Sequence, residues 1–77
     1  MNKVLFFAHL RDAVGEEFLS LQAAGKTVAA LKAELAAKYD LPLMDTVMTA
    51  INEEFATNDE VILEGDEVAF IPPVSGG

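Results

Sequence analysis

The sequence contains no cysteine, and this absence removes several kinds of site at once. Without thiols the chain has no disulfide framework, no zinc–thiolate site and no cysteine nucleophile. It also has a single histidine, His9, and two serines, Ser20 and Ser75, and it lacks a GxSxG motif. A nucleophilic triad therefore has too few components, and we expect that the chain is not an enzyme on its own.

Basic residues and long apolar runs are also scarce. Five Lys and Arg residues stand against 13 Asp and Glu residues, which gives a net charge of −8. Binding to a phosphate backbone needs clustered Lys and Arg, so we expect no nucleic-acid partner and favour a basic protein partner instead. No segment approaches the roughly 18 consecutive apolar residues of a membrane span. Segment 1–12 lacks a signal-peptide cleavage site, so we expect a cytoplasmic protein with no membrane partner.

The numerous acidic residues do not form a recognisable metal-binding or catalytic motif. They occur in adjacent pairs at predicted turns, where carboxylates normally face water, and none has the spacing of a calcium-binding loop. The pairs are Glu16-Glu17, Glu53-Glu54, Asp59-Glu60 and Asp66-Glu67. The glycines are too scattered to form a phosphate-binding loop. The sequence therefore predicts no metal site.

Short apolar runs, two of them with alternating polarity at 16–22 and 46–52, predict a small β-sheet. The run at 3–8 is continuous and predicts a strand largely covered on both faces. Connections are expected at 9–15 and 53–60, and a tight turn at Gly65, which is suited to a positive φ. The predicted strands are 3–8, 16–22, 46–52, 61–63 and 68–71. We expect the last of them to be followed by a break, because the prolines after it cannot donate hydrogen bonds to a sheet.

One helix is predicted in the middle of the chain, with Thr27 as its N-cap. Its apolar stripe at helical spacing consists of Val28, Leu31, Leu35 and Tyr39. Lys32, Glu34 and Lys38 are predicted to lie off this stripe, with Glu34 and Lys38 spaced for an ion pair. Pro42 is expected to end the helix. The predicted order is β-β-α-β-β-β, an α+β domain in which one helix covers one face of one sheet.

The last six residues, 72–77, read Pro-Pro-Val-Ser-Gly-Gly. Pro72 and Pro73 stiffen the start of this segment in an extended conformation. Gly76 and Gly77 have no side chains, so the end is thin enough to enter a narrow channel, where its carboxylate can react. A frayed terminus without a role is the alternative that composition leaves open. We predict a folded domain at 1–71 and an extended C-terminal tail at 72–77.

Two stretches of the sequence resemble a known family. VLFFAHLRDAVG at 4–15 and LEGDEVAFIPPVSGG at 63–77 resemble the small, sulfur-carrying subunits of molybdopterin synthase. The order of elements and the Gly-Gly end resemble the β-grasp fold of ubiquitin-like sulfur carriers. Related carriers for thiazole synthesis share that fold and the Gly-Gly end but usually lack the preceding Pro-Pro-Val. Ser75 stands where alanine is also common, and both residues are small.

The resemblance implies a sulfur carrier for molybdenum cofactor biosynthesis in which the Gly77 carboxylate is the reactive group. In that family an adenylating enzyme uses ATP and magnesium to form an acyl-adenylate, and a persulfide donor replaces AMP to leave a thiocarboxylate. The tail then enters the active site of the large catalytic subunit, within a heterotetramer, and sulfur passes to cyclic pyranopterin monophosphate. The carrier itself holds no permanent cofactor. The tail residues that would enter that active site are Pro72, Pro73, Val74, Ser75 and Gly76.

A docking surface for the large subunit is predicted on the face of the sheet that the helix leaves open. Alternation puts Phe7 and Phe6 on opposite faces but does not decide which one faces the helix. The resemblance places Phe7 and Ile71 on the open face beside Pro73, with Phe55 extending the patch. Exposed apolar patches of this kind mark partner sites. The alternative is that Phe7 belongs to the core.

Three other functions stay open at this point. The chain is also compatible with a sulfur carrier of another pathway, either thiazole synthesis or an accessory role for tungsten enzymes. It is compatible with a ubiquitin-like modifier whose Gly77 is joined to lysines of target proteins. A β-grasp binding module with an inert tail is the third. The first two share the activation step with the leading hypothesis and differ in the acceptor, which this chain does not encode.

Overall fold

Five strands and two helices form the described part of the chain. The computed structural model describes residues 1–41 and 46–72. In chain order the elements are β1 (Asn2–Phe6), α1 (His9–Val14), β2 (Phe18–Leu21), α2 (Val28–Tyr39), β3 (Met48–Ile51), β4 (Glu54–Ala56) and β5 (Glu67–Ile71). Within these ranges neither helix is long and apolar enough to cross a membrane. The predicted α+β class is confirmed.

The strands form one mixed sheet in the order β2-β1-β5-β3-β4. β1 and β5 are parallel neighbours at its centre, with Val4 opposite Val68 and Phe6 opposite Phe70. The other three pairs are antiparallel. The two ends of the domain therefore meet in its middle, and the chain leaves the sheet beside the carboxyl end of β1.

Helix α2 begins and ends through local signals. The Thr27 backbone is extended, and its side chain accepts a hydrogen bond from the Ala30 N–H at 3.1 Å, as predicted for an N-cap. The helix ends at Tyr39 because Asp40 turns into the left-handed region at φ 53° and donates its N–H to the Ala36 carbonyl. The helix thus stops before Pro42, which lies outside the described residues.

The core lies between α2 and one face of the sheet. Val28 and Leu31 are fully buried and Leu35 nearly so, which confirms the predicted apolar stripe, while Tyr39 packs at its margin. Phe6 and Phe70 supply the sheet side, with ring centroids 6.1 Å apart. The other buried apolar residues in this cluster are Val4, Leu10, Ala23, Leu41, Val47, Ile62 and Val68. The apolar side chains on this face of the sheet are thus buried in the core.

Lys32 departs from the expectation that it lies on the solvent side of α2. It is only 7% exposed, and its ammonium donates to the Val47 carbonyl at 2.7 Å and to Asn58 Oδ1 at 3.1 Å. Lys32 follows Val28 by four residues, so it lies on the same side of the helix. Its aliphatic stem can pack there while the charged end reaches polar backbone. Glu34 pairs with Lys26 at 2.5 Å.

The predicted loop at 9–15 is wrong, because most of it forms α1. Leu10 is fully buried in the core and anchors this six-residue helix. Gly15 ends it at φ 85° by donating its N–H to the Arg11 carbonyl at 2.8 Å. A helix this short is barely stable alone, so its formation depends on the burial of Leu10.

The predicted connection at 53–60 contains a strand, and the predicted strand at 61–63 is not part of the sheet. Residues 54–56 form β4, joined to β3 by a two-residue turn at Asn52 and Glu53. Segment 61–63 forms no strand of the sheet, and Val61 makes only an isolated bridge with Thr27. The buried Ile62 instead donates its N–H to the Lys26 carbonyl at 2.8 Å. The tight turn at Gly65 is confirmed by its φ of 84°.

Candidate functional site

The face of the sheet opposite α2 carries a row of apolar residues that crosses all five strands. Each member is the register partner of the next, from β2 at one edge to β4 at the other. Residues at such positions point to the same face and touch their neighbours. The row consists of Phe18, Leu5, Ala69, Ala50 and Phe55. We call this side of the sheet the open face.

The open face is concave because small residues occupy its centre and large ones its periphery. Ala50 and Ala69 are adjacent in the middle of the row. Phe55 on β4 is 71% exposed and Phe7, just after β1, is 45% exposed. The resulting depression has a volume of about 380 Å³. Its lining is Leu5, Phe7, Ala50, Glu53, Phe55, Glu67, Ala69 and Ile71. We refer to it as the open-face cavity.

The three residues predicted as partner contacts all line this cavity. β1 and β5 are parallel, and Phe6 lies opposite Phe70. The residues that follow them, Phe7 and Ile71, therefore lie side by side at the end of the cavity nearest to Pro72. Phe55 borders the cavity on the side of the edge strand β4. The structure therefore places Phe7 on the open face and excludes the alternative that it is core. Its role as a contact with another protein stays a prediction.

The tail begins at the edge of the same cavity. Ile71 is the last residue of β5 and lines the cavity, and Pro72 follows it directly. Pro72 is buried, so the first residue of the predicted tail still packs against the domain. The predicted tail-threading residues Pro73, Val74, Ser75 and Gly76 lie outside the described residues, as does Gly77, the predicted reactive residue. A partner that fills the cavity would thus lie next to the base of the tail.

The lining of the cavity is mainly apolar. Six of its eight lining residues are apolar and the other two are carboxylates, Glu53 and Glu67. His9 and Ser20 are the described residues outside the cavity whose side chains could best act as a base or a nucleophile. Both are exposed, and neither lines the cavity. Exposed apolar concavities on small domains are typical of protein–protein contacts.

Sequence reasoning missed five of the lining residues: Leu5, Ala50, Glu53, Glu67 and Ala69. Alternation along β1 and β5 could have indicated Leu5 and Ala69. Each is two residues from a predicted contact, Phe7 or Ile71, and residues two apart in a strand lie on the same face of the sheet. Glu67 follows the same alternation on β5, whereas Ala50 and Glu53 become visible only when β3, β4 and β5 are in register. In the sequence alone, nothing distinguishes Ala50 and Ala69 as the floor of a cavity.

Comparison with known proteins gives consistent results for family and fold. The model of the ThiS family matches residues 4–77. The molybdopterin synthase sulfur carrier subunit of Escherichia coli K12 is 43% identical over 81 aligned residues, covering 100% of both chains. Full coverage means that the similarity extends over the whole chain and includes the tail.

Two solved structures agree with the architecture. The solution structure of small archaeal modifier protein 1 from Methanosarcina acetivorans has a TM-score of 0.77 at 28% identity, covering 99% of this chain and 95% of that one. A protein–protein complex of subunits 1 and 2 of molybdopterin-converting factor from Helicobacter pylori contains a chain with a TM-score of 0.68 at 23% identity, covering 99% and 97%. These neighbours confirm the predicted ubiquitin-like β-grasp fold.

Proposed function

Because the chain belongs to the ThiS family, we propose that it is the sulfur carrier subunit of a molybdopterin synthase, acting in the cytoplasm in molybdenum cofactor biosynthesis. The observation that carries this proposal is the position of an exposed apolar cavity at the base of a Gly-Gly tail. The full-length similarity to the Escherichia coli carrier subunit supports it. In this role the chain is a sulfur-donating subunit and the catalytic groups belong to its partners.

The proposed chemistry takes place at the Gly77 carboxylate. A free carboxylate is a poor electrophile because its leaving group would be an oxide. Adenylation by an activating enzyme, with ATP and magnesium, gives the carbonyl carbon a good leaving group, AMP. The outer sulfur of a persulfide donor then attacks the carbonyl carbon, AMP leaves, and an acyl disulfide forms. A thiol, acting as the reductant, cleaves the S–S bond of this intermediate, and the product is a C-terminal thiocarboxylate. Such a carrier needs no thiol of its own, in keeping with a cysteine-free sequence.

The proposed docking site for the large catalytic subunit is the open-face cavity. Apolar side chains of that subunit would fill the space between Phe7 and Phe55, and aromatic residues in such positions usually dominate the binding energy. Docking there would direct residues 73–77 into the neighbouring active site, where sulfur passes to cyclic pyranopterin monophosphate. Two sulfurs are needed for each product, so two charged carriers would be consumed. The assembly would be a heterotetramer with a central large-subunit dimer and one carrier at each end.

A second candidate function is that of a ubiquitin-like protein modifier. The similarity to a protein named small archaeal modifier protein 1, with 28% identity and a TM-score of 0.77, supports it. Both functions begin with adenylation of Gly77, and they differ in the acceptor. In the modifier, a lysine amine of a target protein displaces the activated group and forms an isopeptide bond.

Intact-mass measurement separates these functions. The chain is incubated with the activating enzyme, ATP, magnesium and a sulfur source, and then with the large subunit and the pterin precursor. We expect a mass gain equal to the replacement of one oxygen by sulfur, followed by its loss as the pterin product forms. Isopeptide conjugates without thiocarboxylate would instead support the modifier.

The matched control is the chain that lacks Gly77. We expect it to keep its fold, because a terminal residue contributes little stability, and to show no mass gain and no sulfur transfer. Sulfur transfer by the shortened chain at the normal rate would overturn the proposed function. Gly76→Val, which thickens and stiffens the tail, should also fail in transfer.

A further inference from the structure

Two carboxylates lie on the boundary of the open-face cavity, and no function has yet been assigned to them. Glu53 and Glu67 both line the cavity and are exposed. They are the two charged members of an otherwise apolar lining. A carboxylate beside apolar surface loses part of its hydration when that surface is covered, so a docked partner must compensate for this loss.

The backbone that carries these two carboxylates is firmly connected. Asn52 accepts a hydrogen bond from the Glu67 N–H through Oδ1 at 2.9 Å and donates its own N–H to the Glu67 carbonyl at 2.8 Å. Its Nδ2 donates to Asp66 Oδ1 at 2.9 Å. The β3–β4 turn that contains Glu53 is thereby attached to the first residue of β5. The backbone positions of Glu53 and Glu67 are thus fixed next to each other beside the cavity.

The backbone conformation of Glu53 is one that a glutamate side chain does not favour. Its φ is 70°, and it occupies the second position of a two-residue hairpin turn after Asn52. Glycine is the preferred residue at that position, because a side chain is unfavourable in the left-handed region. Glutamate at this position therefore makes the turn less stable than glycine would, and a role of its carboxylate in binding is a reason for its presence.

The cations of this chain are all engaged with other groups. Lys3 is the register partner of Glu67, but its ammonium lies 4.5 Å from the centroid of the Phe18 ring. The other cations and their contacts are Arg11 with Glu17, Lys26 with Glu34, Lys32 with the Val47 carbonyl and Lys38 with the Tyr39 ring. The N-terminal ammonium pairs with Glu64. Within the described residues none of these contacts involves the carboxylate of Glu53 or Glu67, so we expect a docked partner to supply the compensating charge.

We propose that Glu53 and Glu67 together select a partner surface on which a lysine or arginine side chain lies beside the apolar residues that fill the cavity. This inference rests on the proposed function, in which that surface belongs to the large catalytic subunit. Apolar residues alone would allow several orientations of the two proteins. A cation that binds both carboxylates favours one orientation and speeds association through charge attraction.

The test compares Glu53→Gln, Glu67→Gln and the double variant with Glu60→Gln as a matched control. Glu60 is exposed and undergoes the same change of charge, but its backbone carbonyl binds the Val28 N–H at the start of α2, away from the open face. Affinity and association rate for the large subunit are measured at low and high ionic strength. We expect each cavity variant to bind roughly 5- to 30-fold more weakly at low salt, with a smaller dependence on salt. The control should stay within about twofold of the wild type.

Glu53→Gly separates the carboxylate from the turn. Glycine suits the φ of this position, so the fold should be retained or strengthened while binding weakens as in Glu53→Gln. Cavity variants that all bind within about twofold of the wild type would overturn the inference. If the wild type binds the large subunit and transfers sulfur while these variants are neutral, only this inference fails. A wild type that neither binds nor transfers sulfur would refute the proposed function itself.

Discussion

Phe6 and Phe7 are neighbours in the chain, yet Phe6 is 2% exposed and Phe7 is 45% exposed. The two residues represent the two faces of one sheet. The covered face packs large apolar residues against α2 and has become the core, whereas the open face leaves a concave apolar surface. The covered face carries large apolar side chains, whereas the open face has alanines at its centre. Because α2 packs against the covered face, that face contributes most of the stability.

The largest expected effect concerns the covered face. Phe6→Ala should lower the free energy of unfolding by about 3–5 kcal/mol, because it leaves a cavity beside the Phe70 ring. Leu35→Ala should give a loss of about 2–5 kcal/mol from the helix side of the same core. Chemical denaturation of both variants measures these losses. A loss well below 1 kcal/mol for either variant would mean that the packing between helix and sheet is misassigned.

Phe7→Ala tests the open face and is the direct counterpart of Phe6→Ala. We expect its free energy of unfolding to change little, because the side chain is already half-exposed. Its binding to the large subunit should weaken by roughly 2 kcal/mol or more, as for an aromatic residue at the centre of an interface. Calorimetric titration and denaturation on the same sample give both values. Unfolding of the variant with unchanged affinity in the remaining folded protein would reverse the assignment of the two faces.

Filling the open-face cavity should have a smaller effect on binding. Ala69→Leu adds a larger side chain at the centre of the apolar row, where it would occupy the depression beside Ala50. We expect affinity for the large subunit to fall by about 1–2 kcal/mol while the free energy of unfolding stays within about 0.5 kcal/mol. Affinity equal to that of the wild type would show that the partner does not enter the depression.

The smallest expected effect concerns the element that creates the difference between the faces. Thr27→Ala removes the side-chain oxygen that accepts the Ala30 N–H at the start of α2. The free energy of unfolding should fall by about 1 kcal/mol, with no change in affinity for the large subunit. Thr27→Ser keeps the hydroxyl and serves as the control. A loss of binding in Thr27→Ala without a loss of stability would show that α2 also contributes to docking.

Several features could be predicted from the sequence because they depend on nearby residues. The Thr27 cap, the apolar stripe of α2 and the turn at Gly65 follow from hydrogen bonding, helical spacing and backbone preference within a few residues. The strands β1, β2, β3 and β5 are also found where alternating patterns predict them, with shifts of one or two residues at their ends. The placement of Phe7 needed the family resemblance, because alternation alone is symmetric between the two faces.

Other features could not be predicted locally. α1 depends on the burial of Leu10, and β4 on a hairpin turn whose residues, Asn52 and Glu53, do not include the usual glycine. The burial of Lys32 depends on acceptors at Val47 and Asn58, which are distant in the chain. In each case the decisive partner is far away in sequence.

The sequence by itself determined the positions of four strands and the apolar stripe of α2, because composition and periodicity are properties of the chain. Only the tertiary structure decided which parity became core, and only the register of five strands brought Leu5, Ala50, Ala69, Glu53 and Glu67 to one cavity. The physical reason is that hydrogen bonding between strands fixes which residues are neighbours across the sheet. A site built from such neighbours exists only after the strands have paired.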